Sequence, residues 1–253
     1  MLKRKNIRTA GRLVSGVVYT VAHPSDTEQQ RAAKTNVSST AREKMNLRYS
    51  WQKLELLLAA NFTYKDLHVI LTYDEENLPP NRTEARKQIK KFIRLLREKR
   101  KADRRTALQY VYNVEGNHGN KRYHHHMVIN ATGKDYAEIS ALWPLGHVDF
   151  ELVGTVGYTK LAMYLTKEPK DGIWAEVGER SWVPSLGLKR PAYDKGTVPD
   201  NYSLSIPPGA VVLLNEYAQN EFGEFHFIKY LLPEPPVDWP KRHRRSHSKT
   251  TQC

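Results

Sequence analysis

The chain holds a single cysteine, Cys253, among 253 residues. One thiol can close no disulfide within the chain and can build no cysteine zinc cluster, so neither a stapled secreted scaffold nor a zinc module is expected. A reducing cytoplasm suits such a chain, next to the nucleoid. Long apolar runs are also missing. Nothing approaches the length that spans a bilayer, and no membrane partner is expected. The N-terminus has a basic start and a weakly apolar continuation, but Ser15, Gly16, Tyr19 and Thr20 interrupt it. A short strand there is the better reading than an export signal. No Gly-x-x-x-x-Gly-Lys-Ser/Thr occurs, so there is no sequence sign of a P-loop helicase. Acid is scarce as well: 27 Asp and Glu stand against 40 Lys and Arg, a formal charge of +13. A balance that basic points to a polyanion.

What is present centres on Tyr-His-His-His-Met-Val-Ile-Asn at 123–130. The composition suits a strand. Alternate side chains then share a face, with His124, His126 and Val128 on one side and His125 on the other. Two imidazoles two residues apart on one face can ligate one metal ion. Upstream, 108–115 is another strand pattern, and the Gly/Asn-rich 116–121 reads as the turn of a hairpin. That turn brings Glu115 beside His124 and His126, a three-ligand divalent site with open positions. The plainer reading is rim histidines beside a solvated carboxylate.

Downstream, 155–168 reads as a helix stopped by Pro169. Tyr158, Leu161, Ala162 and Leu165 form its apolar stripe. Tyr164 lies off the stripe, with Lys160 and Lys167 one turn to either side. Neighbouring cations favour a phenolate. The plainer alternative is a tyrosine at the edge of the core.

Together these features resemble the HUH endonucleases, the rolling-circle replication initiators. Leu-His-Val-Ile-Leu-Thr-Tyr at 67–73 is similar to that family's first motif, His124-His125-His126 to its metal-binding second motif, and Tyr164-Leu165-Thr166-Lys167 to its Tyr-x-x-Lys nucleophile motif. Over roughly residues 45 to 191 the chain is similar to replication-associated proteins of bacterial phages, plasmids and integrated elements. The resemblance implies a site-specific single-strand nicking and strand-transfer enzyme. His124, His126 and Glu115 then hold Mg²⁺ or Mn²⁺, Tyr164 forms a 5′-phosphotyrosine, and Lys167 steadies the developing charge. His125 is structural. Tyr158 is a second nucleophile only if its place in the apolar stripe misleads. The implied partners are single-stranded DNA at a replication origin and the host helicase and polymerase. Two rivals stand beside this: a basic DNA-binding regulator without catalysis, and a metal nuclease that uses water.

Four regions are expected. Residues 1–35 form a basic and polar arm with one strand, and 36–191 the catalytic domain. Residues 192–232 are an extension with a hairpin at 211–217 and 224–231, and 233–253 a disordered basic tail. The domain opens with a helix over 36–60. It continues β–α–β–β–α–β–α, an α+β fold whose antiparallel central sheet is backed by helices in the ferredoxin-like manner. A long basic helix follows Pro80 and ends near Arg100. The Pro/Gly-rich stretch 174–200 reads as a surface loop. Its Arg180, Trp182, Lys189 and Arg190, with Lys160 on the tyrosine helix, suit single-stranded DNA through phosphate contacts and stacking.

Overall fold

Val69, Ile70 and Leu71 run together without alternation, as a strand covered on both faces should. The fold places helices on each side of them. The computed structural model describes residues 2–21, 39–116, 122–154, 157–166, 181–220 and 223–234. In chain order these form β1 (Leu2–Ala10), β2 (Leu13–Val21), α1 (Ser39–Asn61) and β3 (Leu67–Leu71). Next come α2 (Arg82–Ala102), β4 (Tyr110–Glu115), β5 (His124–Ile129), α3 (Asp135–Leu142), β6 (Val148–Leu152) and α4 (Thr159–Thr166). The last are β7 (Val183–Pro184), β8 (Ala192–Val198), β9 (Val211–Asn220) and β10 (Gly223–Leu231).

The strands make two antiparallel five-stranded sheets, giving the expected α+β fold. The first has the order β6-β3-β5-β4-β7. Its β3–α2–β4–β5–α3–β6 path is the β–α–β–β–α–β order read from the sequence, and β5 lies between β3 and β4. One face packs on α2 and α3 through Val69, Ile89, Phe92, Met127 and Trp143. The other packs on α1 and α4 through Leu54, Leu58, Val128, Ala162 and Leu165.

Asn81 caps α2, its side-chain oxygen accepting the Glu84 N–H at 2.9 Å. The basic coat of this helix is solvated except at its end. Arg100 is buried against Asp135, at 2.7 Å, and also donates to the Asn130 carbonyl and side chain. That pair ties the end of α2 to the start of α3 and the exit of β5.

The second sheet differs from expectation. Residues 2–21 form a two-stranded hairpin where one strand was expected. This hairpin lies at the centre of the order β8-β1-β2-β10-β9. Leu-Lys-Arg-Lys-Asn-Ile-Arg-Thr-Ala has too little apolar alternation to announce a strand. Its backbone pairs on both edges, and Lys3 and Lys5 find carboxylates in Glu224 and Asp194. The expected loop over 174–200 also contains strands. β7 extends β4, and β8 lies along β1 as an edge strand whose side chains are nearly all exposed. The β9–β10 hairpin occurs where the sequence predicts it. Residues 22–38, and the tail from 235 on, lie outside the described residues. Among the described residues no helix is long and apolar enough to cross a membrane.

Candidate metal centre and nucleophile

The hairpin register sets Glu115 opposite His124 and Asn113 opposite His126. Directly paired residues project from the same face. The turn leaving β4 is tight: Gly116 has φ +128, and a Cβ there would lie 2.6 Å from the Tyr123 Cα. Glycine is required to close it. The carboxylate Oε2 of Glu115 consequently lies 3.5 Å from His124 Nε2 and 3.3 Å from His126 Nε2. One ligand atom from each of the three residues falls within 4.8 Å of the others. Two imidazole nitrogens and one carboxylate oxygen are a donor set for a divalent cation with positions left open.

The other nitrogens of both imidazoles are occupied. His124 Nδ1 donates to the Arg122 carbonyl at 3.1 Å. His126 Nδ1 faces His68 Nε2 at 3.2 Å, and His68 Nδ1 faces the Glu151 carboxylate at 3.0 Å. One proton arrangement satisfies the whole chain: His126 donates to His68, and His68 donates to Glu151. It leaves the lone pair of His126 Nε2 directed at Glu115. Burial pushes the pKa of His126 down, against the partial offset of Glu115, and burial likewise lowers His68 against Glu151. Both rings are therefore neutral near pH 7, the form that ligates metals.

α4 crosses the same face. Ala162 and Leu165 bury its inner side, and Asn113 donates to the Leu165 carbonyl at 2.9 Å, linking the metal hairpin to the helix. Tyr164 is 40% exposed. Its ring meets His126 edge-on at 4.9 Å, and its hydroxyl lies 3.4 Å from His126 Nε2. Tyr158 is differently placed. Its hydroxyl donates to the Phe62 carbonyl, and burial pushes its pKa up. His125 projects from the far face. It is 0% exposed, 2.6 Å from the Tyr73 hydroxyl and packed edge-on against Trp143.

A cleft of about 620 Å³ runs beside Tyr164, lined by His68, Glu151, Lys160 and Leu161. Lys160 is thus near the tyrosine at an exposed position. A second cleft, between α1 and the 181–193 segment, holds Lys53, Trp182, Arg190 and Tyr193. Trp182 is half-buried, its indole donating to Ser50 at 3.2 Å. The Lys189 backbone is pinned to Asn61, and its side chain is exposed. Lys167 and Arg180 lie outside the described residues.

Sequence reasoning missed His68, Glu151 and Asn113. His68 was visible as part of a strand motif, and Glu151 lay on the polar side of an alternating strand. What joins them is the β3–β6 register, which sets His68 opposite Glu151. No local pattern encodes that pairing.

Residues 66–169, under half of the chain, match the family model of the replication-associated protein ORF2. No curated protein and no solved structure matches the chain. The matched stretch holds Glu115, His124, His126 and Tyr164 together with His68, Asn113 and Glu151. Over the stretch that carries its site, this chain is similar to replication-associated proteins, a likeness that supports a role in initiating DNA replication.

Proposed function

We propose that the protein initiates rolling-circle replication as a site-specific single-strand DNA endonuclease and strand transferase. The observation that carries this is the Tyr164 hydroxyl beside His126, at the rim of the Glu115–His124–His126 cluster. These three residues would hold Mg²⁺ or Mn²⁺, which polarises the scissile phosphate and offsets its charge when bound. Tyr164 oxygen forms a bond to phosphorus as the P–O3′ bond breaks. The phenol loses its proton, and the leaving 3′ oxygen gains one. The products are a 5′-phosphotyrosine and a free 3′-hydroxyl. Rejoining reverses the exchange, with a 3′-hydroxyl attacking the phosphotyrosine. Lys160 and Lys167 supply positive charge near the phenolate. The Glu151–His68 pair holds the His126 ring in the tautomer that aims Nε2 at the site. Lys189 and Arg190, with Trp182, contact the bound strand, as does Arg180. Unwinding and synthesis fall to a host helicase and polymerase.

The test is incubation with labelled single-stranded DNA flanking the protein's own gene, with and without Mn²⁺, followed by peptide mapping of any covalent adduct. The expected result is a metal-dependent adduct on the peptide bearing Tyr164. Cleavage without an adduct would support a water-using nuclease. Binding without cleavage would support a regulator.

A further inference from the structure

The second sheet lies outside the stretch that carries the site, and its two faces treat their cations differently. Side chains of β1 alternate between the faces. Lys3 and Lys5 point one way and are ion-paired with Glu224 and Asp194. Arg4 and Arg8 point the other way, and among the described residues neither has a carboxylate partner. The register sets Tyr19 opposite Arg4, Lys195 opposite Asn6 and Tyr193 opposite Arg8. β10 adds Phe225 opposite Tyr19. Three rings on this face are well exposed: Tyr19 at 38%, Phe225 at 42% and Tyr193 at 54%. Arg4 and Lys195 are exposed too, and the Lys195 ammonium lies 5.1 Å from the Tyr193 ring centre. α1 packs against the face only near Ala10, Leu13 and Leu231. Glu216, opposite Phe227 on the edge strand, is the acid that the sheet itself places on this side.

Exposed rings interleaved with unpaired cations are what a flexible polyanion with flat π-faces requires, namely a single nucleic-acid strand. A duplex offers no unstacked base for the rings. Tyr193 also lines the cleft that holds Trp182 and Arg190, so a strand leaving that cleft passes directly onto the sheet. We propose that this face of the second sheet is a further single-stranded DNA site. Bases stack on Tyr193, Tyr19 and Phe225, while Arg8, Lys195 and Arg4 hold phosphates. The proposal rests on the single-strand reading above and extends it to a part of the chain that the family likeness does not cover.

The experiment uses the full chain and labelled oligo-dT of about 30 nucleotides, long enough to reach past one cleft. Tyr19→Ser with Phe225→Ser should weaken binding by about tenfold or more. Arg4→Gln with Lys195→Gln should lower the slope of log affinity against log salt by about 1.4, or about 0.7 per lost phosphate contact. Mn²⁺ affinity should not change in either variant. Should the aromatic variant melt early, the charge variant decides, because its two positions are exposed. Wild-type affinity and salt slope in the charge variant would overturn the proposal, as would a loss of DNA binding that comes with a loss of Mn²⁺ affinity. Unchanged DNA binding with altered sedimentation would mean instead that the face meets another protein chain. If the wild-type chain binds no oligo-dT, the single-strand reading itself fails.

Discussion

His125 and His126 are neighbours on one strand, 0% and 1% exposed, and they serve opposite ends. His126 turns to the face covered by α1 and α4, where it meets His68, Glu115 and Tyr164. His125 turns to the face covered by α2 and α3, where it meets Tyr73 and Trp143. Burial does not separate the two. Their partners do: one ring is wired into a chain of titratable groups that ends in a cleft, the other into aromatic packing. The strand's two-residue period makes the division, and the helices above and below give it different chemistry.

The sharpest way to test that division is with the tyrosine on each side. Tyr164→Phe should abolish the covalent adduct and leave Mn²⁺ binding and melting close to wild type, since only a half-exposed hydroxyl is lost. Tyr73→Phe should keep the adduct but strand the buried His125 nitrogen, at a cost of about 1–3 kcal/mol in denaturant unfolding. Equal adduct yields in the two variants would break the comparison.

The histidines follow. His126→Ala should remove cleavage and weaken Mn²⁺ binding while costing less stability than its neighbour. His125→Ala opens a hole beneath Trp143 and should cost about 2–5 kcal/mol, yet still form the adduct well below its melting point. An electron-spin titration of Mn²⁺ beside urea unfolding separates these outcomes.

A smaller effect belongs to the pair behind His126. His68→Leu should weaken Mn²⁺ affinity by about 10- to 100-fold, the usual loss when a ligand's hydrogen-bond partner is removed. His68→Gln, which can still accept from one neighbour and donate to the other, should recover much of it. Unaltered affinity in the leucine variant would show that His126 needs no support.

The smallest signal is in pH. Burial holds the His125 pKa down at about 3, below the ordinary histidine value near 6.5. The unfolded chain therefore binds a proton on this ring that the native chain refuses. Its contribution to stability is complete above about pH 6.5 and is lost as pH falls from there towards 3. His125→Phe should flatten the unfolding free energy over that window, and an unchanged slope would remove His125 as its source.

The first sheet and its site were legible because local patterns define them. Consecutive apolar residues marked β3, a Gly/Asn turn closed the metal hairpin, and helical spacing separated Tyr164 from Tyr158. The second sheet was illegible for a physical reason. β1 and β8 are held by backbone pairing and long-range ion pairs, and their side chains read as surface. The same limit hid Glu151, whose role depends on the strand it pairs with and not on the one it sits in.

The pairing of β1 with β8 and of β2 with β10 has a consequence for how the chain is made. The β1–β2 hairpin leaves the ribosome well ahead of the strands that cover its two edges, which come only after the whole β3–α4 unit has been synthesised. Until then it carries two open edges, and open edges recruit other strands. Lys3, Lys5, Arg4 and Arg8 make that interval safer, because like charges along an uncovered strand keep nascent copies apart. The positive charge of this segment thus guards the unfinished chain before it serves the finished one.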